Sequence, residues 1–200
     1  MIEWLVEYKY LVLIFIVLLI LCIIIMRKAG KALSEHNKAV REEEERIQHL
    51  TNLKNQFRII SNKTILNAAE KDLIEGIALH YQLELEKEVD INSAFLALPD
   101  AVKYVYALDV FLSEEGNLSD FFKNNGKPLT EVIIPALEAI NENEIAALSV
   151  PLNKMYDSDD EETSIDYKVI DECNKKFENI FDRESFCLRT IEFIKNNNWG

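Results

Sequence analysis

Glycine, proline, histidine and cysteine are all scarce: the 200 residues hold five, four, three and three of them. Five glycines leave no room for a glycine-rich phosphate loop. The three histidines, His36, His49 and His80, stand alone, and neither an H-x-x-x-H nor a G-x-S-x-G pattern occurs. Cys22, Cys173 and Cys187 make an odd count without a C-x-x-C pair, so neither a disulfide framework nor a zinc site is indicated. Cys22 sits in an apolar run. Cys173 and Cys187 lie on apolar helix faces with no histidine near in sequence, which makes them structural thiols. Sustained strand-like alternation is absent as well. The expectation is an all-α protein that is not an enzyme and binds no cofactor or metal.

Charge is missing from one stretch altogether. From Tyr10 to Met26, "YLVLIFIVLLILCIIIM" has no charged residue, no proline and no glycine. With Trp4 to Lys9 added, such a helix is long enough to cross a hydrocarbon core of about 30 Å. Trp4, Tyr8 and Tyr10 stand where an interfacial aromatic belt would. Glu3 and Glu7 precede the run, and Arg27-Lys28 follow in place of a small-residue cleavage site, so it reads as an uncleaved anchor. Arg27, Lys28 and Lys31 against a single Lys9 put the C-terminal part on the cytoplasmic side, with the N-terminus outside.

What is present falls into three segments, 4–26, 27–60 and 61–200. Residues 1–26 carry a net charge of −1, residues 27–63 carry +4, and residues 64–200, with twelve basic and twenty-eight acidic side chains, carry −16. The second segment reads as a helical stalk. Leu33, Val40 and Ile47 recur every seven residues, joined by Leu50 and Phe57, while His36, Glu43 and Lys54 interrupt the seam with polar groups. That is a weak coiled coil, with a homodimerising stalk as the functional alternative. The run Glu42 to Glu45 reads as a solvated helix face.

The third segment shows helical spacing throughout, and predicts six or seven helices. Ile65, Ala69, Leu73, Ile77 and Tyr81 recur every four residues as one helix. A helix begins at Pro99-Asp100 and stops at Gly116, where glycine can enter the left-handed region. In "EEGNLSDFFKNNG", Asn117 or Ser119 caps a short helix, Asp120 suits its first turn, and Phe121 and Phe122 wedge into the groove between neighbouring helices. Pro135 and Pro151 imply a late start or a kink in the next two helices. The last two bury Val169, Ile170, Cys173, Phe177, Ile180 and Phe181, then Phe186, Leu188, Ile191 and Ile194, with Asp182 as cap and Trp199 placed to dock back.

The residues from Ile91 to Trp199 resemble the DNA-mimic protein 19 C-terminal domain family, a bacterial domain. Its pattern is a helix, then Asn-Gly-Gly-Phe-x-Gln-Phe-Phe-x-Asn, then a helix of the "eALe-x-I" type. Here "EGNLSDFFKNNG" is followed by "PALEAINENEIAAL". Gly116, Phe121, Phe122 and Asn124 keep the pattern as a structural motif, while Glu115, Asn117, Leu118 and Asp120 depart from it. The resemblance implies an acidic all-α domain able to offer carboxylates in place of phosphates to a DNA-binding protein.

The densest acid run is Asp157, Asp159, Asp160, Glu161 and Glu162. It fails as an EF-hand loop, because Glu162 takes the glycine position and Lys168 the last one. With Glu114, Glu115 and Asp120 it forms the expected partner-binding surface. The leading expectation is a membrane-anchored acidic module that engages a basic protein surface and binds no nucleic acid itself. The alternative is an immunity-type or structural protein that neutralises or scaffolds a partner at the membrane.

Overall fold

Ten helices and no strand occur among the described residues, 9–114, 116–156 and 165–199 of a computed structural model. The side chains of residues 9–12, 14, 16–17, 20–25, 27 and 29–35 also lie outside the description. The chain divides into two compact units, Met1–Thr51 and Asn52–Gly200.

The first unit is built on α1 (Lys9–Gln56), one uninterrupted helix of 48 residues whose last turn belongs to the second unit. Among the described residues no helix is long and apolar enough to cross a membrane. The expected span at 4–26 lies largely outside the described side chains. The charge run forms i,i+3 and i,i+4 pairs along its own helix. Arg46 donates two hydrogen bonds to Glu43, at 3.2 and 3.1 Å, and Lys38 stands 3.6 Å from Glu42. The seam residues Val40 and Ile47 are exposed.

The second unit holds nine helices in place of the six or seven expected. These are α2 (Asn62–Asn67), α3 (Glu70–Leu85), α4 (Ile91–Ala97), α5 (Asp100–Ser113), α6 (Leu118–Asn124), α7 (Leu129–Ala139), α8 (Asn143–Met155), α9 (Tyr167–Ile180) and α10 (Arg183–Asn196). The single helix expected over Ile65 to Tyr81 is two. Ala68 is extended at φ −78, ψ 150, and closes α2 by donating its N–H to the Thr64 carbonyl. Of the residues spaced by four, Ile65, Leu73 and Ile77 are buried, while Ala69 at the break is exposed and Tyr81 half-buried.

Helix α5 is the centre of the unit. It packs on α3 and on α7, and α7 in turn on α8. Val102, Val105, Ala107, Leu108, Phe111 and Leu112 are all buried, so α5 is covered around most of its girth. Phe57, expected on the stalk seam, is instead in this core at 1% exposure, with Leu53 beside it. Both α7 and α8 run through their prolines without a late start, because the N–H that each proline lacks is a single ladder donor. At the end of α7, Asn141 takes the left-handed conformation at φ 62, a position asparagine tolerates.

Two expected core residues are not in the core. Leu188 is 55% exposed, since α10 buries Phe186, Thr190, Ile191 and Ile194, and position 188 is turned about 200° from 186. Ile180 is exposed because α9 ends there, and the next residue, Phe181, packs inward in its place. Asp182 caps α10 as expected, accepting the Ser185 N–H at 3.2 Å. Trp199 docks back and is 3% exposed. Its indole N–H donates to the Ile194 carbonyl at 2.6 Å, and its backbone N–H to Asn62 Oδ1 at 2.9 Å.

Candidate interaction surface

The corner between α5 and α6 is where the sequence concentrates its motif. Phe121 and Phe122 are 1% and 2% exposed, edge-to-face with ring centroids 5.2 Å apart. Phe121 meets Phe111 of α5 at 5.5 Å. Phe111 also stacks on Phe186 at 5.5 Å and reaches Phe177 and Phe181 at 6.0 and 6.1 Å. Burying each ring is worth roughly 1.5–3 kcal/mol, with about 0.5–1.5 kcal/mol more for each well-placed aromatic pair. The two phenylalanines are therefore core, and the turn around them exists to deliver them there.

The turn is held by the side chains that flank the rings. Asn117 stands at the cap of α6, and the bond that closes the capping box runs from its own N–H to the Asp120 carboxylate at 2.8 Å. Glu114 accepts from Asn124 Nδ2 at 3.2 Å and Asn125 Nδ2 at 3.0 Å. Asn174 of α9 receives the Ser119 N–H at 3.0 Å and donates to Ser119 Oγ at 2.9 Å, satisfying a first-turn donor of α6. Gly116 is not left-handed as expected, and α5 already ends at Ser113. Its lack of a side chain leaves room for the Asp120 carboxylate, which a Cβ there would overlap. Of the expected partner-binding residues, Glu114 and Asp120 thus hydrogen-bond within the corner. Glu115, Asp157, Asp159, Asp160, Glu161 and Glu162 lie outside the described residues.

None of the described carboxylates is buried. The buried polar residues are Ser119, Thr130, Ser149 and Thr190, three hydroxyls of which bond to main-chain or side-chain partners. Among the described residues the acid excess is therefore carried mainly at the surface. One stretch the sequence reading passed over is Glu84, Glu86, Glu88 and Asp90, at the end of α3 and in the link to α4, all exposed. Its signal was the alternation of acids in "ELEKEVD", absorbed there into a helix. Asp90 caps α4 by accepting from Ser93 N at 3.1 Å.

Two carboxylates are perturbed by their surroundings. Burial, with the Glu75 carboxylate second, pushes Asp109 of α5 up to about 6. Burial also raises Glu142, against the pull of Arg189 of α10, which stands 3.0 Å away. Asp109 escaped the sequence reading because its companion Glu75 is on a different helix. Burial raises both Cys173 and Cys187 above the ordinary thiol value, which suits structural thiols. Among the described residues no group of three histidine, cysteine, aspartate or glutamate side chains is placed to hold a metal ion.

The family profile described as DMP19-like protein matches residues 96–197, about half of the chain, and spans α5 to α10 with the whole corner. No curated protein and no solved structure matches the chain.

Proposed function

This chain belongs to the DMP19-like protein family, and on that premise we propose that its C-terminal helical domain is a non-enzymatic binding module for a basic protein surface. The partner is a DNA-binding protein, which meets carboxylates where it would otherwise meet phosphates. The observation that carries this reading is the placement of charge. Residues 64–200 have twelve bases against twenty-eight acids, and apart from Asp109 and Glu142, which burial perturbs, the described carboxylates stand exposed or half-exposed. A surface of one sign steers an oppositely charged partner and repels nucleic acid.

The corner supports the same reading by what it leaves out. Glu114 and Asp120 shape the turn, so the contact falls to acids outside it: the run Asp157 to Glu162 and the strip Glu84 to Glu88.

The module is tethered. Residues 4–26 form the membrane anchor, 27–60 the stalk and 61–200 the domain, which faces the cytoplasm. Supporting this, α1 is continuous from Lys9, and Leu13, Phe15, Leu18, Leu19 and Met26 are all exposed along it, as lipid-facing side chains would be. Pairing of two stalks along Leu33, Val40 and Ile47 would cover Val40 and Ile47, now 43% and 54% exposed. Disulfide trapping of a Val40→Cys variant tests that pairing.

The decisive experiment uses the full chain in detergent against a variant with Asp157, Asp159 and Asp160 changed to Asn and Glu161 and Glu162 to Gln. The unaltered chain should retain its partner at low salt, lose it as salt rises, and be displaced by duplex DNA. Equal retention by both proteins, or a complex indifferent to salt, overturns the proposal.

A further inference from the structure

Against the acidic background one concave site has the opposite sign. A cleft of about 440 Å³ in the second unit is lined by Lys54, Asn55, Phe57, Arg58, His80, Leu83, Glu84 and Lys87. Three fixed cations face one carboxylate, and that carboxylate is already engaged, since Lys87 Nζ lies 2.5 Å from Glu84 Oε1. Lys54 and Arg58 make no ion pair among the described residues, in a chain where acids outnumber bases by thirty-five to twenty-two.

The walls are fitted to more than a counter-ion. Phe57, 1% exposed, closes the base of the cleft and is fixed there by Gly76 of α3, where a Cβ would overlap the ring. His80 packs edge-to-face on Tyr81 at 4.9 Å and is half-buried. Burial first, opposed chiefly by Glu84, holds its imidazole below the ordinary value, and the ring is hydrogen-bonded to the Phe57 main chain. The volume falls in the range of small-molecule sites and exceeds what an inorganic anion fills. A guanidinium suits a phosphate or carboxylate bidentately, and a lysine ammonium suits a phosphate as a point charge.

We propose that the cleft between the end of α1 and helix α3 binds a phosphate monoester carried on a small apolar or aromatic body, with Arg58 and Lys54 holding the phosphate and the half-buried Leu83 facing the body. The site borders the acidic strip at Glu84 and Lys87, and the two are told apart through Arg58 and Lys54, which the acidic surface does not include.

The test is calorimetric titration of the full chain in detergent micelles at fixed ionic strength. The titrants are phenyl phosphate, inorganic phosphate and dihexanoyl phosphatidic acid. Phenyl phosphate should bind saturably and more tightly than inorganic phosphate. Arg58→Gln with Lys54→Gln should weaken it by at least about tenfold, the scale of losing charge-assisted hydrogen bonds. Both side chains are exposed, so the variant keeps its fold, as its melting temperature will verify. Lys168→Gln, which removes a cation outside the cleft, should leave binding unchanged. If only the short-chain lipid binds, and binding needs Arg58, the site stands and its phosphate comes from a headgroup. Absence of saturable binding by all three titrants overturns the proposal, and so does an equal loss in Lys168→Gln.

Discussion

The aromatic ring of Phe57 lies against the Cα of Gly76, so close that no side chain fits between them. One residue closes the end of α1 and the other sits inside α3, and their contact joins those elements of the second unit. Helix propensity alone favours Gly76→Ala by about 1 kcal/mol. The overlap with a fully buried ring costs more, on the order of 1–3 kcal/mol, because Phe57 has nowhere to retreat. Overpacking therefore wins. Gly76→Ala should lower the melting temperature of the purified chain, and Gly76→Ala with Phe57→Leu should recover part of the loss. A melting temperature that rises in the single variant would refute this packing.

Asn174 and Ser119 exchange two hydrogen bonds across the α6–α9 contact. Asn174→Ala leaves the Ser119 N–H and hydroxyl without that partner at a nearly buried position, and should destabilise by about 1–3 kcal/mol. Asn174→Asp keeps an acceptor for the Ser119 N–H and can accept from the Ser119 hydroxyl in place of donating to it, and should lose less. Denaturant unfolding of the three proteins, compared at equal detergent, checks the ranking.

Asp109 gives the domain a definite pH signature. Its folded value of about 6 is above the ordinary 3.8, so its contribution to stability is fully present below pH 3.8 and is lost as pH rises through 6. The full loss is on the order of 3 kcal/mol. Glu75 and Tyr106 are the titratable neighbours, and burial, with Asp109 second, raises the Tyr106 hydroxyl as well. Asp109→Asn removes the ionisation. Its stability advantage over the unaltered chain should grow between pH 5 and pH 7, in thermal melts across that interval. A constant difference would mean that Asp109 is not held neutral in the fold.

How much of this was legible in the residues depended on whether one segment held the information. The Asp182 cap, the paired phenylalanines of the corner and the docking of Trp199 are local patterns, and each was readable in place. Misreadings arose where a neighbour decided the matter. Gly116 looked like a left-handed stop, yet the reason for glycine is the Asp120 carboxylate four residues on. Leu188 looked like core until Thr190 took the buried position through its hydrogen bond to the Phe186 carbonyl. The Asp109–Glu75 pair and the basic cleft draw on two elements far apart in the chain, and no spacing rule brings such residues together.

The thiols supply a further check. Cys173 is buried and Cys187 half-buried, and burial raises both above the ordinary thiol value. Alkylation by iodoacetamide at neutral pH should be slow at Cys173 in the folded chain and fast in urea. Rapid labelling of Cys173 without denaturant, read by mass spectrometry, would show that α9 opens far more readily than its packing implies.

The seating of Trp199 gives the domain an optical readout of its own. The chain has two tryptophans, Trp4 and Trp199, so a Trp4→Phe variant leaves one emitter, enclosed at 3% exposure and bonded to Ile194 and Asn62. Its fluorescence maximum should lie to the blue while the tail is docked and move red when it lifts. Melting, ligand titration and partner capture can then all be followed in the unlabelled chain, without a dye on the surface where contacts form.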